Sequence, residues 1–186
     1  MTGRRILVKP PRDGLASFYY IRSVVIWNMK WIYVGYRQPF FAAYPPSNYP
    51  EIMTKDSRPY TCLMIETHED YLICIPFRSS IHHDDAFLFT GTNRSRRTRS
   101  GLDYKKAIII KDTSYIDSNT SIVVDNDEYT AMITNITKIV NDVHSYISKY
   151  INHVNGTAPL HEREFTRRYQ YSTLPYFHDI LGISQD

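Results

Sequence analysis

Hydrophobic and polar positions along the chain change period several times, and each change marks an element. Residues 61–66 and 71–77 are short runs rich in apolar and β-branched side chains, joined by Thr67-His68-Glu69-Asp70. That pattern predicts an antiparallel hairpin. Further strands are expected at 86–90, 107–111 and 121–124. Ile108-Ile109-Ile110 is apolar without alternation, which predicts a central strand covered on both faces. The period then becomes helical: Tyr129, Met132, Ile133, Ile136, Ile139, Val140, Val143, Tyr146, Ile147, Tyr150, Ile151 and Val154 recur at steps of three and four. This is one wide apolar stripe on a single long helix, started by Asp125-Asn126-Asp127-Glu128 and stopped by Asn155-Gly156. Residues 160–183 predict one or two short helices, with Ser172 as cap before Leu174 and Gly182 as stop.

The N-terminal part is less regular. Pro45, Pro46 and Pro50 exclude a helix interior and make 40–50 an irregular loop. Residues 1–28 carry Pro10-Pro11 and Gly14 with no clear period, whereas Met29 followed by Lys30-Trp31-Ile32-Tyr33-Val34 suits an alternative start and a first strand. The expected organisation is an N-terminal extension at 1–28, weakly ordered or an extra edge strand, ahead of one domain at 29–186. A length of 186 residues fits a single domain with a real core.

Composition sets limits. With 42% hydrophobic and 22% charged residues, the chain falls in the globular soluble class. The apolar run at 21–27 is too short to span a bilayer and lacks signal-peptide flanks. Sixteen tyrosines suit base stacking and half-buried packing equally. The net charge of +3 is misleading. Residues 1–28 hold Arg4, Arg5, Lys9, Arg12 and Arg22 against Asp13, a surplus of four that leaves the rest one charge negative. A polyanion site must therefore come from local clustering, and 94–106 supplies six Lys or Arg against Asp103. Cys62 and Cys74 lie in apolar runs without metal-ligand spacing and read as buried free thiols of a reducing cytoplasm.

Candidate chemistry collects in residues 71–106. The first apolar run stops at Arg78-Ser79-Ser80-Ile81-His82-His83. After a second apolar patch, a loop with Arg94, Arg96, Arg97 and Arg99 closes on Gly101-Leu102-Asp103-Tyr104-Lys105-Lys106. Proton carriers and cations held just outside buried strands suit a phosphate-handling site. Arg78 offers two donors to a phosphate and Ser79 a hydrogen bond to a non-bridging oxygen. His83 belongs to the residue type that titrates near neutrality. In an extended chain His82 and Lys105 alternate to the side away from His83 and Lys106. His82-His83-Asp84-Asp85 is not expected to bind metal, because four adjacent side chains of an extended segment do not converge on one ion. No cofactor is expected.

Three blocks, I-P-F-R-S-S-I-H-H, G-L-D-Y-K-K-A-I-I-I and Y-Q-Y-S-T-L-P-Y-F-H-D-I-L-G-I, together resemble the TenpN group of type III toxin–antitoxin toxins. These are small bacterial endoribonucleases related to ToxN and AbiQ. The similarity covers residues 29–183 in the same order and leaves 1–28 outside. It implies an α+β fold similar to the Kid and MazF toxins: a strongly bent antiparallel sheet, one long packed helix and short C-terminal helices. It also implies metal-independent cleavage of RNA to a 2′,3′-cyclic phosphate and a 5′-hydroxyl, with the RNA 2′-hydroxyl as nucleophile. The implied partners are a repeat RNA antitoxin, folded as a pseudoknot that the toxin processes and that inhibits it, and cellular or phage RNA as substrate. A protein–RNA hetero-oligomer in the cytoplasm, with no membrane, and phage defence by growth arrest would follow.

On this resemblance His83 matches the histidine of R-S-x-I-x-H and is the first choice for proton transfer. Ser79 lies in the block that carries the catalytic serine. Lys106 matches the lysine of G-L-D-x-x-K, set to stabilise the transition state or act as acid. Asp103 either orients Lys106 or serves a turn, and Arg78 completes the catalytic set. RNA contacts are expected from Arg94, Arg96, Arg97 and Arg99 on backbone phosphates, from Arg58 and Tyr60 on a base, and from His82 and Lys105. Tyr171 and Ser172 are expected to close the tail against the sheet. The competing reading is a non-catalytic RNA-binding module using the same loop and tyrosines.

Overall fold

In the computed structural model the chain runs β1 (Arg5–Val8), β2 (Tyr20–Ile21), β3 (Val24–Val25), β4 (Trp31–Val34), α1 (Gln38–Ala43), β5 (Tyr60–Glu66), β6 (Leu72–Arg78), β7 (Ala86–Leu88), β8 (Gly101–Asp103), β9 (Ile108–Ile110), β10 (Ile122–Asp125), α2 (Asn126–Thr134), α3 (Ile136–Val154) and α4 (Glu162–Tyr169). The structure describes residues 5–8, 20–21, 24–25, 31–34, 38–53, 60–67, 69–116 and 122–184. Of these, 5–34, Gln38, Tyr60, Thr61, Ile122 and Val123 are described by their backbone alone. The fold is α+β around an antiparallel sheet of order β4-β5-β6-β8-β7, with β9 also paired to β6.

The predicted hairpin is the spine of this sheet. β5 and β6 pair antiparallel from Cys62↔Pro76 to Glu66↔Leu72, and the turn is tied by Thr67, whose amide and hydroxyl both donate to the Tyr71 carbonyl at 3.2 and 2.7 Å. On its other edge β6 has two partners in succession. Leu72–Cys74 pair with β9, and Phe77–Arg78 pair with β8. Between β8 and β9 the chain leaves the ladder as a 3₁₀ turn, Tyr104–Lys106. Ile75 and Pro76 therefore face the interruption, and a proline there costs no ladder bond on that edge. Gly101 is required where β8 runs between β7 and β6, since a Cβ would lie 2.1 Å from the Phe87 carbonyl oxygen.

The core is one cluster in which Ile139, Val143, Tyr146 and Ile147 of α3 join the sheet residues Ile73, Ile75, Leu102 and Ile108–Ile110. Each such aliphatic side chain contributes about 1.5–3 kcal/mol relative to exposure. All three residues of β9 are buried, as the unalternating isoleucines predict. The strand is not central, however, because β6 is its ladder partner among the described residues.

Two other expectations are corrected. The single long helix is two, broken at Asn135, whose side-chain amide donates back to the Ala131 carbonyl at 2.7 Å. A side chain that competes for an i−4 carbonyl favours a break even inside an apolar stripe. The 40–50 loop begins inside α1, and Phe40 is fully buried against Tyr44 and Tyr115. Within 1–28, β1 pairs antiparallel with β10 in a two-stranded sheet. Trp31–Val34 does form the first strand of the main sheet. The tail follows expectation: α4 and a 3₁₀ turn at Leu174–Phe177, with the Ser172 hydroxyl accepting from the Leu174 amide at 3.3 Å and Gly182 in the left-handed region at φ 68°. Among the described residues no helix is long and apolar enough to cross a membrane.

Candidate active site

β6 carries its apolar run through the core, buried from Ile73 to Pro76 and half-buried at Phe77 and Arg78, so the strand delivers Arg78 to the surface. The chain then turns sharply, with Ser80 at φ 57°, a left-handed conformation uncommon for a residue other than glycine. Ile81 is buried and its amide donates to the Arg99 carbonyl at 2.9 Å, which pins the loop just before the histidine pair. A cleft of about 300 Å³ opens at this point, lined by Glu51, Arg78, Ser80, Ile81, His82, His83, Lys105, Lys106 and Tyr171.

Asp103, the last residue of β8, organises the cleft floor. It has no solvent exposure and takes an ion pair from Arg78 Nη1 on Oδ2. On Oδ1 it takes the Lys105 amide at 3.0 Å and His83 Nε2 at 3.3 Å. Burial alone would raise its pKa, but the hydrogen bond and charge of His83, together with the Arg78 guanidinium, outweigh burial and hold the carboxyl below the ordinary aspartate range. His83 Nδ1, the other ring nitrogen, is shielded from solvent and has no hydrogen-bond partner among the described residues.

The C-terminal block closes the other wall. Lys106 Nζ is ion-paired with Glu51 and donates to the Tyr171 carbonyl at 2.8 Å. Lys105 Nζ turns inward to the Arg167 carbonyl at 2.6 Å, and burial lowers its pKa against the opposing pull of Asp85 and Asp103. Thr173 donates its amide to the Lys105 carbonyl at 2.9 Å and its hydroxyl to the Ala107 carbonyl. Ser172, buried, meets the Tyr146 hydroxyl at 3.1 Å. Arg168 reaches Asp85 through Nε at 3.0 Å and Nη2 at 2.8 Å, tying α4 to the segment that follows the histidines. Two sequence blocks 65 residues apart thus form one wall.

Of the four residues assigned to chemistry, Arg78, His83 and Lys106 meet in the cleft, and Ser79 does not. Ser79 is exposed and off the lining, while its neighbour Ser80 is on it. Asp103 orients Arg78 and His83 rather than Lys106, whose carboxylate partner is Glu51. His82 lines the same cleft as His83, because residues 79–85 are bends and irregular chain and not a strand, so strict alternation does not apply. Lys105, expected at an RNA backbone, is buried and committed to a protein carbonyl. Tyr171, expected as tail support, is 56% exposed at the cleft, and Ser172 takes the supporting role.

The arginine loop divides in the same way. Arg94 is bound through two nitrogens to Glu128, which is fully buried in the first turn of α2, and the Asn93 amide donates to Asp127 at 2.6 Å. Arg94 is therefore an anchor. Arg96 and Arg97 are exposed, and Arg99 has a loose surface pair with Asp84 at 3.9 Å. Arg58 lies outside the described residues, and Tyr60 is described only as the first residue of β5. Glu51, Ser80 and Tyr171 are the cleft residues that sequence reasoning missed. Ser80 had a local signal, its place beside the matched serine, whereas Glu51 lies in an irregular segment with none.

Chemically, the cleft offers two imidazoles, one held by an ionised carboxylate, with a guanidinium and an ammonium beside them. That set can bind an anion and move a proton within it. Among the described residues no group of three or more His, Cys, Asp or Glu is arranged to hold a metal ion. No protein-family model, no curated protein and no solved structure matches the chain.

Proposed function

We propose that this chain is a cytoplasmic endoribonuclease toxin of the type III kind, cleaving RNA without a metal and held silent by a structured RNA antitoxin. The observation that carries the reading is the convergence of Arg78, His83 and Lys106, drawn from two separate sequence blocks, on one cleft. In this reading the His83 imidazole takes the proton of the RNA 2′-hydroxyl, and the freed oxygen attacks the adjacent phosphorus. Arg78 and Lys106 neutralise charge on the phosphorane, and Lys106 supplies the proton with which the 5′-oxygen leaves. The products are a 2′,3′-cyclic phosphate and a 5′-hydroxyl. The requirement for a 2′-hydroxyl restricts the chemistry to RNA.

The sheet belongs in this reading to the bent Kid and MazF type, with β6 bending where its partner changes from β9 to β8. Arg96 and Arg97, unpaired among the described residues and exposed, are the backbone-phosphate contacts of the antitoxin RNA, and Tyr171 is a stacking surface at the cleft mouth. The test compares cleavage with binding. His83→Ala and Lys106→Ala each should lower the cleavage rate by about 10²–10⁴-fold while RNA affinity changes by less than about tenfold. Equal loss of both, or binding with no cleavage by the unmodified chain, favours the RNA-binding module instead.

A further inference from the structure

We propose that Asp103 is a positioning residue that locks His83 in the Nε2–H tautomer, so that Nδ1 is the nitrogen that exchanges a proton with the substrate. The consequence for rate rests on the endoribonuclease reading, whereas the tautomer itself rests on geometry. Asp103 has no solvent exposure, and its two oxygens face three donors: the Arg78 guanidinium on Oδ2, and the Lys105 amide at 3.0 Å with His83 Nε2 at 3.3 Å on Oδ1.

An ionised carboxylate can only accept, so the proton of a neutral imidazole resting on it must sit on Nε2. Asp103 stays ionised because its partners outweigh its burial. The Lys105 amide fixes the carboxylate in place, since Asp103 caps the 3₁₀ turn that carries both lysines. Arg78 takes the second oxygen and offsets the negative charge, so the carboxylate can orient the ring without being left as an uncompensated buried anion. What remains is Nδ1, a lone-pair acceptor shut off from solvent and without a partner among the described residues. Buried polar atoms are seldom left so. A substrate hydroxyl that displaced what covers Nδ1, with Nε2 still on Asp103, would supply the missing donor. The arrangement follows the general logic in which a carboxylate sets the tautomer of a histidine that works through its other nitrogen.

The tautomer can be read directly. Histidine-labelled protein is examined by long-range ¹H–¹⁵N NMR above the histidine titration range, with the His83 signals assigned by their loss in His83→Ala. Unmodified protein should show His83 as a single Nε2–H tautomer. A proton on Nδ1, or an even mixture, overturns the inference even if no further variant folds. Asp103→Ala removes both acceptor oxygens, including the one that faces the Lys105 amide and His83 Nε2. The lock should then be lost, with Nδ1 and Nε2 signals moving towards each other. An unchanged tautomer in folded Asp103→Ala also overturns it. The same variant should lose cleavage by about 10²–10⁴-fold, mainly in kcat. A lost lock with full cleavage would leave the positioning of His83 standing and sink the endoribonuclease role of His83.

Discussion

Asp103 combines complete burial with three donors, and this couples the charge of the cleft floor to the stability of the fold. Its folded pKa lies below the ordinary aspartate value of 3.8. The unfolded chain therefore takes up the proton first as pH falls. The stability that this carboxylate contributes is fully present above about pH 4 and is lost as pH drops through the folded value. Acid unfolding curves should thus show a stability gap between the unmodified chain and Asp103→Asn at pH 6 that narrows below about pH 4. A gap independent of pH would mean that the ionised carboxylate is not the stabilising species. Single residues were also where the sequence was hardest to read. R-S-S-I-H-H and G-L-D-Y-K-K announced the site, but within each pair of like neighbours one member was misplaced, the histidine and the lysine by the alternation rule. Ser80 and not Ser79 lines the cleft, His82 joins His83 there, and Lys105 is buried. Alternation holds only in a strand, and these residues sit in bends, irregular chain and a 3₁₀ turn.

The arginine loop and the start of α2 fold as one unit. Asp127 and Glu128 were read as helix-start residues, and they do occupy the first turn, but their carboxylates receive the Asn93 amide and the Arg94 fork. The Ser100 hydroxyl adds a third donor to Glu128 at 3.2 Å. The loop is therefore internally braced, with Thr92 and Ser95 exchanging amide–hydroxyl bonds at 2.9 and 3.1 Å. Arg94→Ala would leave Glu128 buried and half-satisfied. It should cost about 3 kcal/mol, the low end for breaking a buried ion pair, because Arg94 itself keeps some exposure. Arg96→Ala and Arg97→Ala should change stability by less than about 0.5 kcal/mol. In RNA binding they should instead each reduce the logarithmic salt slope by about 0.7. Denaturant titration and salt-dependent binding on the three variants separate the two roles; a shared behaviour would refute the division. No periodicity argument could have found this, since Arg94 and Glu128 are 34 residues apart and differ from their neighbours only in what they meet.

Across the whole molecule, the elements that the pattern predicted are the ones that build the core, and the site arises where those elements are interrupted. The hairpin, the buried isoleucines and the helical stripe were legible because burial imposes a period on sequence. The convergence of the Lys105–Ala107 turn with Tyr171–Thr173 was not, because it depends on backbone carbonyls that carry no residue signature. The tyrosines that composition left undecided prove largely structural. Tyr146, Tyr150 and Tyr169 pack ring to ring beside α4, and burial pushes the Tyr44, Tyr71 and Tyr150 hydroxyls up to about 12. Tyr171 alone among the large aromatic side chains described is strongly exposed, and it lies at the cleft. The most direct test of an RNA-cleaving site is to incubate the purified chain with RNA in excess chelator and determine the chemistry of the new ends. Cleavage should persist and leave 2′,3′-cyclic phosphate and 5′-hydroxyl termini, and it should fall by about 10²–10⁴-fold with His83→Ala. Absence of cleavage, 5′-phosphate ends, or full activity in His83→Ala would contradict it.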